Sequence, residues 1–257
     1  MLRLHAYPGN IEAMARASTI SRISPLAADQ WGLVTRRQVE DAGVPRATLD
    51  RLIADEALME RVAHGVYRLT LAPPPDHLAL RAVWLGLAPE VPAWERTPDQ
   101  GVVSHRSAAS LYRIGDLPAD RHDFTAPTRR QSRRADLRLH HRRLVDDDGI
   151  RLGGLFVTRP ARIAADLLDD SEDPEAVARI IADALQARHD DPSAFAAALA
   201  PLAARFGLRR GDGLALLRWL LELTGDPAAS TWLRAAREGP QPGEQQAPGS
   251  PATMRTR

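Results

Sequence analysis

The sequence contains neither cysteine nor lysine. Without cysteine the chain has no disulfide bonds, no thiolate nucleophile and no cysteine-based zinc site. Without lysine, every scheme that needs a catalytic or phosphate-binding lysine is excluded. No apolar run is long enough to span a membrane, and residues 1–20 lack the continuous apolar core of a signal peptide. We therefore expect a cytoplasmic protein.

Residues 33–71 predict two short helices followed by a β-hairpin. Thr35 and Gln38 fit a capping box at the start of the first helix, and Gly43 is suited to end it in the left-handed conformation. Pro45 suits the first position of the second helix, where its missing N–H costs nothing. This order is typical of a winged helix-turn-helix, a module most often used to bind DNA.

The second helix of this module has two different sides. Leu49, Leu52 and Ile53 recur at i, i+3 and i+4, so we expect them to face a core. The opposite side is small and polar, as a major groove requires. It carries Ala47, Thr48, Arg51 and Ala54, with Asp50 at its margin.

Two further segments complete the predicted module. Residues 58–62 and 66–69 alternate like two strands around the turn at 64–65, which would be the wing. A helix over residues 26–31, opened by Pro25, would come first.

The predicted module carries no net charge. Between residues 21 and 75, seven arginines face seven acidic residues. A lone DNA-binding domain is usually basic. The residue pattern by itself therefore leaves two equal alternatives, a DNA-binding domain and a plain structural or protein-binding module.

The middle of the chain predicts an α+β domain. After the proline run at 72–75, Asp76 is expected to cap a helix. The sequence pattern then predicts three strands, over residues 123–126, 137–144 and 150–158. The last strand is expected to contain a bulge at Gly153-Gly154.

After residue 171 the pattern is helical. Asp173 and Asp191 each precede a proline, which is typical of a cap followed by the first helical residue. Gly207 is expected to end a helix, and Asp212 or Gly213 to open the next.

Charge is unevenly distributed over the second half of the chain. Residues 101–145 contain ten arginines and four acidic residues, whereas residues 146–191 contain five arginines and twelve acidic residues. Either the two segments bind different partners, or they neutralise each other within the fold.

Four segments in this order and spacing carry a family resemblance: GLVTRRQVEDAGVPRATLDRLI, RVAHGVYRL, SHRSAASLY and GLFVTRPARIAADLL. They resemble the AbiEi antitoxins of type IV toxin–antitoxin systems over roughly residues 21–225. The resemblance implies that the winged helix binds double-stranded DNA at inverted repeats in its own promoter and represses its operon. It also implies that the rest of the chain counteracts a nucleotidyltransferase-like toxin, with or without a stable complex. One departure is Val44-Pro45, where a serine cap often begins the second helix.

The expected fold class is α+β, with an N-terminal winged helix-turn-helix and a mixed α+β domain that ends in a helical bundle. Residues 1–20 are a weakly patterned lead-in that need not be ordered. The other expected units are a DNA-binding domain (21–72), an α+β antitoxin domain (76–170), a helical subdomain (171–237) and a disordered tail (238–257).

The candidate DNA-binding residues fall into four groups. Arg36 and Arg37 are predicted to bind phosphates. Arg46 and Arg51 are candidates for base edges, with Ala47 and Thr48 shaping the fit, and His64 and Arg68 would contact the backbone or minor groove from the wing. The loop arginines Arg129, Arg130, Arg133 and Arg134 would extend the phosphate contact, unless that loop is simply an exposed segment without a partner.

Catalysis, cofactors and metals are not expected. A metal-dependent nuclease would need a Glu/Gln-x-Lys strand, and the chain has no lysine. Residues 146–148 read as a solvated turn, and His140 and His141 would point to opposite faces of a strand and could not chelate together. The two remaining alternatives are a module that docks a toxin or other protein, with the winged helix purely structural, and, less favoured, a nuclease.

Overall fold

The computed structural model describes residues 8–54, 58–129 and 132–239, and the side chains of these residues except 8–15 and 146. Within these ranges the chain is a mixed α+β structure with a three-stranded and a five-stranded sheet. The α-helices are α1 (Pro8–Ala28), α2 (Arg36–Asp41), α3 (Arg46–Ala54), α4 (Leu78–Leu87), α5 (His105–Tyr112), α6 (Pro160–Asp169), α7 (Pro174–Gln186), α8 (Pro192–Leu199), α9 (Gly213–Thr224) and α10 (Ala229–Glu238). The strands are β1 (Leu33–Thr35), β2 (Met59–Ala63), β3 (Val66–Leu69), β4 (Val102–Val103), β5 (His122–Ala126), β6 (Leu137–His141), β7 (Gly149–Leu152) and β8 (Leu155–Thr158). Among the described helices, none combines the length and the apolar character that crossing a bilayer requires.

The N-terminal unit has the element order α1-β1-α2-α3-β2-β3. Its antiparallel sheet has the order β1-β3-β2, and the two hairpin strands are joined by a two-residue turn at 64–65. Most buried apolar residues of α1, α2, α3 and the sheet form one small core, whose large side chains include Ile23, Leu49, Leu52, Met59 and Tyr67. Leu33 and Val66 belong to the larger core instead. The predicted hairpin is therefore confirmed. Strand β1 was not predicted, because a strand of three residues is too short to show an alternating pattern.

The predicted helix over residues 26–31 is wrong in extent. Helix α1 ends at Ala28 and begins as early as Pro8, with Pro25 inside it rather than at its start. The Ser24 hydroxyl donates to the carbonyl oxygen of Ile20 at 2.7 Å, within the helix. Proline only removes one backbone hydrogen bond here, and packing of the helix on the N-terminal core outweighs that loss.

The predicted signals at both ends of the first motif helix are confirmed. Thr35 and Gln38 form a reciprocal capping box, and Gly43 has a φ of +77° beyond the end of α2. Helix α3 starts one residue later than predicted, because the carbonyl oxygen of Pro45 accepts the first helical hydrogen bond, from Leu49 at 3.1 Å. Val44 is 2% exposed in the N-terminal core, which explains an apolar residue just before this helix.

A polar seam joins the N-terminal unit to the segment that follows α4. The Gln30 side chain accepts from the backbone N–H of Ala93 at 2.9 Å, and Gln38 donates to the carbonyl oxygen of Val91 at 3.3 Å. Helix α4 packs against all three strands of the first sheet. The prediction that Asp76 caps this helix is wrong. The residue that directly precedes α4 is His77, with a φ of +55°.

The second sheet has the strand order β6-β5-β4-β8-β7. Strands β5 and β6 are parallel, as are β4 and β8, and the other pairs are antiparallel. The predicted strand over residues 150–158 is corrected to a hairpin, because Gly153 and Gly154 have φ values of +55° and +86° and form a tight turn between β7 and β8 rather than a bulge.

The predicted aspartate caps of the C-terminal helices are confirmed. The side chains of Asp173, Asp191 and Asp212 accept hydrogen bonds from the first turns of α7, α8 and α9. Gly207, in the left-handed conformation, ends a 3-10 helix. Residues of these helices share one continuous core with the second sheet and α4.

Candidate nucleic-acid interface

Helix α3 presents an exposed surface that the sequence pattern predicted. Leu49 and Leu52 are buried, and Thr48 is half-buried. The residues on the outer surface are Arg46, Ala47, Asp50, Arg51 and Ala54. Because α3 is amphipathic, burial of its apolar side orients the arginines outward.

Asp50 lies in the middle of this surface. Its carboxylate accepts from Arg36 at 2.9 Å and lies 4.0 Å from Nε of Arg46. The sequence pattern placed Asp50 at the margin of the helix face. Its i+4 spacing from Arg46 was the signal that could have revealed the pair.

Arg36 connects three elements of the N-terminal unit. Besides Asp50 on α3, its guanidinium donates to the Tyr67 hydroxyl on β3 at 3.0 Å, which holds the pKa of Arg36 above its ordinary value. Its backbone N–H donates to the carbonyl oxygen of Gly65 in the hairpin turn at 2.8 Å. The side chain predicted to bind phosphate is thus already engaged in holding α2, α3 and the hairpin together.

Arg37 and Arg51 remain accessible from solvent. Arg37 pairs with Asp41 one helical turn away at 3.1 Å, a surface pair that is cheap to exchange for another partner. Within the described ranges, no hydrogen bond or ion pair engages the Arg51 side chain. Arg51 is therefore the most available cation on α3.

Of the two hairpin residues predicted to contact DNA, one is exposed and the other already has hydrogen-bond partners. His64 is exposed at the turn, with Nδ1 3.1 Å from the Arg61 guanidinium. Arg68 has a side chain that is only 11% exposed, donates to Glu60 at 2.6 Å and also bonds the Ala72 carbonyl oxygen. Arg68 must give up these partners before it can contact DNA.

The predicted arginine loop connects β5 to β6. Arg129 and Arg133 are exposed, and Arg130 lies outside the described residues. Arg134 forms a bidentate pair with Asp136 at 2.9 and 2.6 Å, which lowers the pKa of that carboxyl group. The loop stands at the β6 edge of the second sheet, whereas the N-terminal unit contacts the hairpin at the β7 edge.

The basic and acidic segments of the second half meet within the fold. Arg106 donates to Glu172 at 2.9 Å, Arg138 lies 3.0 Å from Asp170, and Arg142 bonds Asp169. Of the two explanations for the uneven charge, mutual neutralisation accounts for these three arginines.

One comparison with known proteins finds a match, over one segment of the chain. Residues 21–70 match a family model described as "Transcriptional regulator, AbiEi antitoxin". The resemblance read from the sequence is confirmed for this segment, about a fifth of the 257-residue chain. A search of curated proteins finds no match.

Proposed function

We propose that this chain, with its AbiEi-type residues 21–70, is a DNA-binding antitoxin whose N-terminal unit is a winged helix-turn-helix. In this proposal α3 is the recognition helix and β2–β3 is the wing. The protein represses its own operon by binding inverted repeats in the promoter, and it counteracts a nucleotidyltransferase-like toxin. Neither role requires a catalytic group.

The observation that carries the proposal is the outer surface of α3 within the order α1-β1-α2-α3-β2-β3. A helix with an exposed small and basic side fits a major groove about 12 Å wide. Arg51 and Arg46 contact base edges there, and Ala47 and Thr48 shape the fit. His64, at the tip of the wing, meets the backbone or minor groove.

The engaged arginines have a supporting role in this proposal. Arg36 and Arg68 hold the helices and the wing in their relative positions, and Arg37 exchanges Asp41 for a phosphate. Further phosphate contacts come from the loop with Arg129, Arg130, Arg133 and Arg134, provided that the DNA passes the β6 edge of the second sheet.

The test is promoter binding by single-site variants at several salt concentrations. Arg51→Ala is expected to weaken specific binding by about 1–3 kcal/mol, roughly fivefold to 150-fold. Arg133→Ala is expected to weaken binding to all sequences and to reduce the salt dependence. Arg218→Ala, an exposed arginine on α9, serves as the matched control. If the Arg51 and Arg133 variants bind like the control, this surface is not the DNA interface.

One observation favours a second candidate function, docking of a protein. Asp50 places a carboxylate in the centre of α3 and partly neutralises Arg36 and Arg46. Such a mixed surface also suits a protein partner, for which the toxin is the candidate. Capture of the product of the adjacent gene, together with failure to bind the promoter, would favour this function over DNA binding.

A further inference from the structure

Two histidines that are 35 positions apart stack in the second sheet region. The rings of His105, at the start of α5, and His140, on β6, lie 3.5 Å apart between centroids and 12° from parallel. His105 has a φ of +51°, a strained conformation for a residue other than glycine. Strain of this kind clusters at ligand sites.

Each ring has one nitrogen held by a neighbour and the other directed to the same carboxylate. Nε2 of His140 lies 2.8 Å from Asp123, and Nδ1 of His105 lies 2.9 Å from the Ser104 hydroxyl. The remaining nitrogens, Nδ1 of His140 and Nε2 of His105, each lie 3.7 Å from Oδ2 of Asp170. Metal-binding histidines usually donate their far ring N–H to a carboxylate, a backbone carbonyl or water, and Asp123 supplies such a carboxylate for His140.

The inward nitrogen of His105 has an unmet bonding capacity. The side chain is 3% exposed, and within the described residues its Nε2 has no hydrogen-bond partner. Burial, assisted by the neighbouring His140 and arginines, lowers the pKa of His105 to about 2. A buried nitrogen without a hydrogen-bond partner is a position that a bound ion would satisfy.

A small polar cavity of about 150 Å³ opens beside these groups. Three carboxylates line it (Asp123, Asp170 and Glu172), and two arginines (Arg106 and Arg138). The three acids and two arginines that line the cavity have a formal net charge of −1.

We propose that His105, His140 and Asp170 bind a divalent transition-metal ion such as Zn²⁺. Their three nearest ligand atoms already lie within 4.8 Å of one another. Two imidazole nitrogens and one carboxylate suit zinc and related ions, whereas Mg²⁺ and Ca²⁺ prefer oxygen ligands alone. None of the three ligands is among the residues proposed to contact DNA, either in residues 21–70 or in the loop from Arg129 to Arg134.

Two adjustments accompany binding. The parallel rings tilt apart, because a metal ion must approach each nitrogen close to the plane of its own ring. Arg138, whose side chain is 56% exposed, moves away from Oδ2 of Asp170. The bound ion then links α5, β6 and the residue that follows α6, so it stabilises the folded protein by mass action.

The test is metal titration of the full-length, chelator-treated protein. Calorimetry with Zn²⁺ is expected to show one equivalent bound, and the thermal midpoint is expected to rise with Zn²⁺ but not with Mg²⁺. Co²⁺ is expected to give the visible absorption bands of a low-coordinate nitrogen and oxygen site. Absence of saturable Zn²⁺ binding, or an equal shift with Mg²⁺, would overturn the proposal.

Two variants and one control test whether the ion binds at this site. Asp170→Asn, nearly the same size as the native side chain, is expected to lower Zn²⁺ affinity at least about tenfold, and Asp123→Asn about 10–100-fold through loss of ring orientation. His141→Ala is the matched control, because this exposed neighbour of His140 bonds the Pro127 carbonyl oxygen instead. Circular dichroism checks that each variant is folded. If Asp170→Asn binds Zn²⁺ as tightly as His141→Ala does, the site lies elsewhere and the proposal is wrong.

Discussion

The indole N–H of Trp31 donates a hydrogen bond to the carbonyl oxygen of Gly153, 122 residues later in the chain, at 3.2 Å. Arg81 donates to the same oxygen at 2.8 Å, and its guanidinium lies 4.4 Å from the centroid of the Trp31 ring. The N-terminal unit is therefore joined to the second sheet at the turn between β7 and β8. This contact positions α3 relative to the rest of the chain.

Gly154→Ala is expected to damage this joint. Gly154 has a φ of +86°, and an added Cβ would lie 2.8 Å from Cζ2 of the Trp31 ring. The left-handed conformation alone costs a residue with a Cβ about 1–2 kcal/mol, and the clash adds to it. Urea unfolding is expected to show a loss of about 2–4 kcal/mol.

The matched control for this substitution is Gly65→Ala. Gly65 occupies the same position of the other two-residue hairpin turn, with a φ of +70°, and its added Cβ meets no atom within 4 Å. It is expected to show the conformational cost without the clash. An equal loss of stability in the two variants would mean that contact with Trp31 is unimportant.

Asp50→Asn is expected to strengthen DNA binding if α3 is the recognition helix. The substitution removes a negative charge from the centre of the proposed interface and releases Arg36 and Arg46 from their ion pairs. We expect promoter affinity to rise several-fold at low salt and to fall more steeply as salt is added. Binding measured by fluorescence anisotropy over a range of salt concentrations provides the readout.

Asp116→Asn controls for the general change in net charge. Asp116 also pairs with an arginine, Arg179, at 3.3 Å, but it follows α5, outside the N-terminal unit. Equal gains for the two variants would indicate a nonspecific charge effect. A loss of affinity in Asp50→Asn would instead show that the positioning of Arg36 matters more than the removed charge.

Gln30→Leu is expected to destabilise the fold by about 2–4 kcal/mol. Gln30 is fully buried, bonds the side chain of Gln38 in both directions and donates to the Leu33 carbonyl oxygen at 3.2 Å. It also accepts from the N–H of Ala93. Leucine has a similar size but would leave these groups buried without partners, each at a cost of about 1–3 kcal/mol.

Gln186→Leu provides the comparison in a thermal or urea denaturation series. Gln186 is exposed and donates to Asp226 at 2.6 Å, so water can replace its lost partner. We expect a change within about 0.5 kcal/mol. A similarly small effect at Gln30 would contradict a structural role for the polar seam.

Interactions between residues close in sequence allowed many helix ends and turns of this protein to be predicted. Capping and turn formation depend on residues a few positions apart, so Thr35 with Gln38, the glycine at 43 and the aspartates that open α7 and α8 could be read directly. The exposed and buried sides of α3 followed from helical periodicity in the same way. Two of the four segments that carried the AbiEi resemblance lie within the matched residues 21–70, so this part of the resemblance could also be read from the sequence.

Pairing between distant segments was decided by the tertiary structure. Strands β1 and β4 have three and two residues, and their partners lie far along the chain, so no local period reveals them. Arg36 and Arg68 looked available because their partners, Tyr67 and Glu60, belong to strands whose register was unknown. The availability of a charged side chain depends on what folds against it.

Three histidines illustrate the difference between local and long-range information. Sequence periodicity correctly separated His140 from His141, since neighbours on a strand point to opposite faces. It could not pair His140 with His105, because that contact requires α5 to pack beside β5 and β6. Short-range periodicity and capping determined the elements and their exposed sides, whereas long-range packing alone decided which charges remain accessible and which ligands converge.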